Sequence, residues 1–155
     1  MDELARKVGA ALKARGLRIV TAESCTGGWA AMALTAIPGS SDWFERGYVT
    51  YSNAAKREAL GVAQDTLERH GAVSEETARE MAAGALKHGR GQVALAITGV
   101  AGPTGGSPGK PVGTVCFAWA QGSKISSRTQ RFDGDRQSVR RQSVVRALQG
   151  VLELL

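Results

Sequence analysis

A serine stands where a short β-branched run gives way to a helical pattern, and it is the first candidate nucleophile. At such a junction, unpaired N–H groups and the positive end of the helix dipole face outward beside Ser24. Gly27 and Gly28 follow, and glycine lets another molecule approach the backbone closely. Ser24 could therefore attack a substrate while N–H groups from Cys25 to Gly28 hold an oxyanion. Serine also caps helices often, and on these residues alone a cap is the simpler interpretation.

Lys56 is the best candidate for a base that would activate this serine. Ser52-Asn53 is typical of a helix start, and if Asn53 is the cap, Lys56 lies in the first turn. The helix dipole and burial would both disfavour a cation there, so we expect a lowered pKa for Lys56. A neutral lysine can take the proton of a serine hydroxyl, and the preceding Tyr51 could donate or relay one. The structural alternatives are an exposed lysine on a helix and a half-buried strand tyrosine.

Cys25 is an alternative nucleophile, because a helix N-terminus lowers the pKa of a thiol. Such an enzyme usually needs a histidine partner. His70 and His88 lie beside glycines at apparent helix ends, where charge complementarity explains them more simply. We expect only one of Ser24 and Cys25 to face a pocket, and the lysine base favours the serine.

The loop 99–113, which is rich in glycine and proline, is a candidate pocket wall. It is not a phosphate-binding Walker A loop, because Gly109-Lys110 is followed by Pro111 instead of Ser or Thr. Ligands of open α/β sheets bind at the carboxyl ends of strands, and this loop follows a buried-strand pattern. A merely flexible connection would have the same composition.

The elements that must position these residues alternate between helices and strands. This alternation predicts a three-layer α/β/α sandwich with a mixed, mostly parallel sheet, since the last two strands form a hairpin. We expect one domain over residues 1–155. Helices are predicted after caps at Asp2, Ser24, Ser52-Asn53, Asp65 or Thr66, Ser74 and Asp135. Strands are predicted over 19–21, 48–51, 92–98, 114–120 and 126–132.

Composition excludes several classes of function. No apolar run approaches the roughly 20 residues of a membrane span, and the amphipathic N-terminus is unlike a signal peptide. Two cysteines and no ligand-like spacing predict neither disulfides nor a metal site, so we expect a cytoplasmic protein without a metal. The net charge is +6, but the basic residues are scattered and aromatics make up 5% of the chain. We therefore expect no nucleic-acid partner.

Five motifs, in this order, resemble the CinA carboxy-terminal domain family: TAESCTGGWAA, WFERGYVTYSNAAK, GAVSEETAREMA, ITGVAGPTGG and KPVGTVCFA. The resemblance covers essentially the whole chain. It implies the activity of the family's stand-alone members, which hydrolyse nicotinamide mononucleotide to nicotinate mononucleotide and ammonia in pyridine-nucleotide recycling. It also implies a Ser/Lys mechanism without a cofactor, in which Ser24 is the nucleophile, Lys56 the base and Tyr51 the assisting tyrosine.

The nucleotide substrate gives further expectations about binding. Arg136, at the start of the last helix, is our first candidate for holding the phosphate, because that group needs a cationic or N–H partner. The loop that contains Gly99 and Gly102 would close over the ribose, and Cys25, Thr26, Gly27 and Gly28 would contact the reacting amide. We also expect a homo-oligomer. The alternative is a module that binds a pyridine nucleotide without turning it over.

Overall fold

A computed structural model describes all residues, 1–155, as six α-helices and five strands. A single turn of 3-10 helix, Ser40–Asp42, lies between the second helix and the second strand. The elements in chain order are α1 (Asp2–Ala14), β1 (Ile19–Glu23), α2 (Trp29–Thr35), β2 (Phe44–Val49), α3 (Asn53–Leu60), α4 (Gln64–His70), α5 (Glu75–His88), β3 (Val93–Gly99), β4 (Thr114–Gln121), β5 (Lys124–Arg131) and α6 (Arg136–Leu154).

The five strands form one sheet in the order β2-β1-β3-β4-β5. The strands β2, β1 and β3 are parallel, and β4 is antiparallel to β3. Because β5 is antiparallel to β4, it runs with the first three strands, and β4 alone is reversed. The helices α1, α2 and α6 cover one face, and α3, α4 and α5 cover the other. The predicted three-layer α/β/α sandwich with a mixed, mostly parallel sheet is confirmed.

The alternation of side chains along β3 builds two different core layers. Val93, Leu95 and Ile97 pack towards α1, α2 and α6. Ala94 and Ala96 face the opposite layer, where small side chains let α5 lie close to the sheet. Both faces of the central strands are thus buried, which explains their continuous apolar runs. The carboxyl ends of β1 and β3 are held side by side, because Glu23 pairs with Ile97.

Helix caps account for several of the element boundaries. The predicted caps Ser74 and Asp135 are confirmed, since each side chain accepts a hydrogen bond from the N–H three residues on. The predicted cap at Asp2 is wrong: Met1 precedes the helix, and Asp2 lies in its first turn. The strand expected over 48–51 instead ends at Val49, because the chain turns towards the cap of α3 at Ser52. None of the helices combines the length and apolar character that a membrane crossing requires.

Candidate active site

Ser24 directly follows β1 and continues its pairing, since its N–H donates to the carbonyl of Ile97 at 2.9 Å. It does not cap a helix. The helix α2 begins at Trp29, after Gly27 and Gly28 have turned the chain with φ angles of +60° and +99°. The expectation of Ser24 at a helix N-terminus is therefore wrong. A separate loop, 24–28, carries the serine between strand and helix.

Glu23 organises this loop from within the protein. Its carboxylate is fully buried and accepts hydrogen bonds from the Thr26 hydroxyl at 2.7 Å and from the N–H groups of Ala30 at 2.8 Å and Ala31 at 3.1 Å. An anion at these N–H groups also complements the helix dipole, so Glu23 serves as the cap that Gly28 lacks. Sequence reasoning missed this role, although the glutamate directly precedes the serine.

Arg140 holds the same loop from the last helix. Its Nε donates to the carbonyl of Cys25 at 3.1 Å and its Nη2 to the carbonyl of Thr26 at 3.2 Å. The guanidinium carbon also lies 5.4 Å from the ring centre of Trp29, within the range of a cation–π contact. Sequence reasoning missed this residue too. The available signal was its spacing of four from Arg136, which places both arginines on one side of α6.

Lys56 reaches Ser24 from α3, which lies on the face of the sheet opposite to α2 and α6. Its side chain is 1% exposed, and its Nζ donates to Ser24 Oγ at 2.9 Å and to the Thr50 carbonyl at 2.8 Å. Ser52 caps α3, so Asn53 is the first helical residue and Lys56 the fourth. Burial lowers the pKa of Lys56. A neutral amine has a lone pair for the serine proton, while Thr50 fixes the direction of one N–H.

Tyr51, Arg136 and Gly102 meet at the rim of the same site. Arg136 donates from Nη2 to the Tyr51 hydroxyl at 3.0 Å and from Nη1 to the Gly102 carbonyl at 2.8 Å. Tyr51 is 60% exposed, and its hydroxyl bonds to neither Ser24 nor Lys56. The arginine thus joins α6 to the loop after β3 and to the segment before α3.

These side chains enclose a cavity of about 300 Å³, at the lower end of the range for small-molecule sites. Asn53 and Thr98 also line it and were not predicted, while Thr104 belongs to the loop 99–113 that was predicted as a pocket wall. Thr26, Gly27 and Gly28 lie elsewhere, around a second depression that Arg140 also lines. The predicted residues that line the cavity are Ser24, Cys25, Tyr51, Lys56, Gly99, Gly102 and Arg136.

Cys25 differs from expectation in two respects. It lines the cavity together with Ser24, so the expectation that only one of the pair would do so is wrong. Burial raises the pKa of its thiol to about 12, whereas a helix N-terminus was expected to lower it. The thiol is 5% exposed, and the start of α2 lies four residues further along the chain. It stays protonated at neutral pH, which leaves Ser24 as the residue with a base at hydrogen-bond distance.

Neither histidine lies in the cavity. His70 and His88 are the last residues of α4 and α5, as their neighbouring glycines predicted. No three His, Cys, Asp or Glu side chains group closely enough to hold a metal ion. A larger depression of about 640 Å³ lies around the start of α5 and contains His70, but no serine there has a base beside it. The cavity at Ser24 and Lys56 is therefore the one in which a serine hydroxyl meets an amine.

Comparison with known proteins identifies close relatives. The sequence matches the family described as CinA C-terminal domain over residues 1–155. It is 58% identical over 149 residues to the nicotinamide-nucleotide amidohydrolase PncC of Escherichia coli K12, covering 95% of this chain and 90% of that protein. The PncC of Pseudomonas putida is 52% identical over 151 residues, covering 97% and 94%. The crystal structure of the competence/damage inducible protein CihA from Agrobacterium tumefaciens superposes with a TM-score of 0.96 at 46% identity, covering 99% and 94%.

Proposed function

Because this chain belongs to the CinA C-terminal domain family, we propose that it hydrolyses the carboxamide of nicotinamide mononucleotide to nicotinate mononucleotide and ammonia. The names of the PncC relatives support this substrate. The observation that carries the chemistry is the 2.9 Å contact between the buried Lys56 Nζ and Ser24 Oγ, inside a cavity. A serine with an adjacent base of lowered pKa is an arrangement that supports attack on an amide carbonyl.

In the proposed first step, neutral Lys56 takes the hydroxyl proton of Ser24 as Oγ bonds to the amide carbon. The carbonyl oxygen becomes an oxyanion, which N–H groups of the loop 24–28 stabilise. The C–N bond then breaks, and the nitrogen leaves as ammonia with the proton that Lys56 had taken. Lys56 next removes a proton from water, which attacks the ester on Ser24. Release of nicotinate mononucleotide returns the proton to Ser24.

The cavity rim supplies partners for the rest of the nucleotide. Arg136 already donates to two neutral oxygens there, those of Tyr51 and Gly102. A phosphate would compete with them, because an anionic acceptor adds charge–charge attraction and can accept from both Nη atoms of the guanidinium at once. The Tyr51 hydroxyl only accepts in its bond with Arg136, so its O–H remains able to assist the proton transfer to the leaving nitrogen. The backbone from Gly99 to Gly102 would contact the ribose.

The test is to incubate the protein separately with nicotinamide mononucleotide, nicotinamide and NAD, and to follow ammonia. We expect the mononucleotide to react much faster than nicotinamide, because contacts to ribose and phosphate orient the amide at Ser24. Equal rates on the two would contradict a nucleotide-shaped site. Tight binding of the mononucleotide without ammonia release would instead indicate a binding module.

A further inference from the structure

We infer that Arg140 is a positioning residue for the oxyanion site: it turns two peptide groups of the loop 24–28 so that their carbonyls face away from the reacting amide. This inference rests on the proposed function, since it assigns a role in amide attack. Arg140 itself lines the second depression and not the catalytic cavity. It therefore acts through the loop and does not touch the substrate.

The loop forms a wall between the two cavities. Ser24 and Cys25 line the catalytic cavity on one side. Thr26 to Gly28 line the depression on the other side, where the guanidinium of Arg140 lies. The carbonyl oxygens of Cys25 and Thr26 both point to that guanidinium, because they accept from its Nε and Nη2. The negative ends of two peptide dipoles are thereby turned away from Ser24 Oγ.

Trans peptide geometry then fixes the directions of the N–H groups. In a trans peptide the C=O and the following N–H point in opposite directions. The N–H of Thr26 therefore points away from Arg140, and we assign it to the side of the loop that holds Ser24. The N–H of Cys25 is oriented by a second bond and not by Arg140, because the carbonyl of its peptide, that of Ser24, accepts from the Gly27 N–H at 3.0 Å.

Three N–H groups of the loop, those of Cys25, Thr26 and Gly28, donate to no oxygen of the protein, and Gly28 lies on the far side, in the second depression. Cys25 and Thr26 are 5% and 0% exposed, yet their N–H groups donate to no oxygen of the protein. The N–H of Gly27 is already bonded to Ser24. Buried N–H groups normally have partners, so two unpaired ones beside a nucleophile fit a site for a developing oxyanion. Of the four N–H groups from Cys25 to Gly28, the first two are the ones that we assign to it.

Arg140 and Glu23 hold the loop through opposite hydrogen-bonding roles, one as donor and the other as acceptor. Glu23 accepts from the Thr26 hydroxyl and from the start of α2. Arg140 donates to the carbonyls, and stacking on Trp29 limits the movement of its side chain. Without the arginine, the Cys25 carbonyl loses its donor, and rotation of the Cys25–Thr26 peptide would present that carbonyl to the oxyanion. Such a change removes stabilisation of the transition state, but it leaves the contacts between the substrate and the cavity rim in place.

The experiment compares Arg140→Gln and Arg140→Lys with Arg141→Gln, which removes an exposed charge from the same helix. With nicotinamide mononucleotide, we expect Arg140→Gln to lower kcat about 100-fold, the effect of losing one oxyanion donor, while KM changes less than threefold. Arg140→Lys keeps one cationic donor and should recover part of kcat. Arg141→Gln should behave as the unmodified protein does.

A second readout does not depend on the natural substrate. A sulfonyl fluoride labels an active serine: Ser24 Oγ bonds to sulfur, fluoride leaves, and Lys56 takes the proton. We expect Arg140→Gln to be labelled at least tenfold more slowly than Arg141→Gln, because the sulfonyl oxygens use the same N–H groups.

The outcomes separate this inference from the proposed function. If the unmodified protein is labelled but releases no ammonia from the mononucleotide, the proposed substrate is wrong, and the labelling ratio still tests Arg140. An unchanged kcat in Arg140→Gln, or a raised KM with kcat intact, overturns the positioning role. If Arg140→Gln does not fold, Arg140→Lys decides, and a kcat equal to that of Arg141→Gln refutes the inference.

Discussion

Replacing Lys56 with Met tests two properties of this residue together: its role as general base and its lowered pKa. Methionine keeps most of the side-chain volume, but it removes the amine that contacts Ser24 and Thr50. We expect turnover of nicotinamide mononucleotide to fall by roughly 10²- to 10⁴-fold, the usual contribution of a general base. Arg57→Met is the matched control, because it removes a cation from an exposed neighbour on the same helix. It should keep near-normal turnover.

The pH dependence of stability gives the sharper measurement. An unfolded lysine has a pKa of about 10.4, whereas burial lowers the pKa of the folded Lys56. Between the two values the folded amine is neutral and the unfolded amine is protonated, so unfolding takes up one proton. The stability of the unmodified protein relative to Lys56→Met should therefore rise with pH in that window, by up to about 1.4 kcal/mol per pH unit. Below the folded pKa both states are protonated, and the difference should become constant.

The assay measures Tm for both proteins at half-unit steps between pH 6 and pH 11, alongside kcat/KM of the unmodified protein. A slope of about 1.4 kcal/mol per pH unit corresponds to roughly 3 to 6 °C per unit for a chain of this size. The rate should rise to a plateau as Lys56 loses its proton. The midpoint of that rise and the lower end of the stability window must coincide, because both report one group. A stability difference that is independent of pH, or a flat rate profile, would refute the assignment of Lys56 as the base.

Three further predictions concern the neighbours of this pair. Ser24→Ala should lower turnover at least ~1000-fold, as removal of a nucleophile does, whereas Cys25→Ala should keep most of the rate. An acyl adduct found on Cys25 by mass spectrometry would reverse the two roles. Arg136→Gln should raise KM for the mononucleotide at least tenfold and leave the slow hydrolysis of nicotinamide unchanged, since only the former carries a phosphate. An equal effect on both substrates would argue against phosphate binding. Activity should survive dialysis against EDTA, because the mechanism uses no metal, and recovery on adding a divalent ion after loss would contradict the Ser/Lys mechanism.

The sequence by itself determined most of the architecture, because the rules for helices and strands are short-range. The polar caps Ser74 and Asp135 and the apolar runs of β3 and β4 depend on residues within one or two turns. The same local chemistry made Ser24 and Lys56 candidates for a nucleophile and a base, but it left a helix cap and an exposed lysine open, and the family resemblance implied the pair. Local rules also produced the errors at Asp2 and at the start of α2, where a cap was assigned to the nearest polar side chain.

The tertiary structure alone decided how these residues meet. Ser24 and Lys56 are 32 positions apart in the sequence, and they are in hydrogen-bond contact. The reason is that β1 lies beside β2, and the chain after β2 leads into α3, which carries Lys56. The contacts of Glu23 and Arg140 with the loop 24–28 depend on the folded path of the chain, which brings Arg140 to Cys25 across 115 positions. The pKa of the Cys25 thiol was predicted to be lowered, but burial raises it. Burial depends on all the groups that pack around the thiol, and the local sequence pattern does not reveal them.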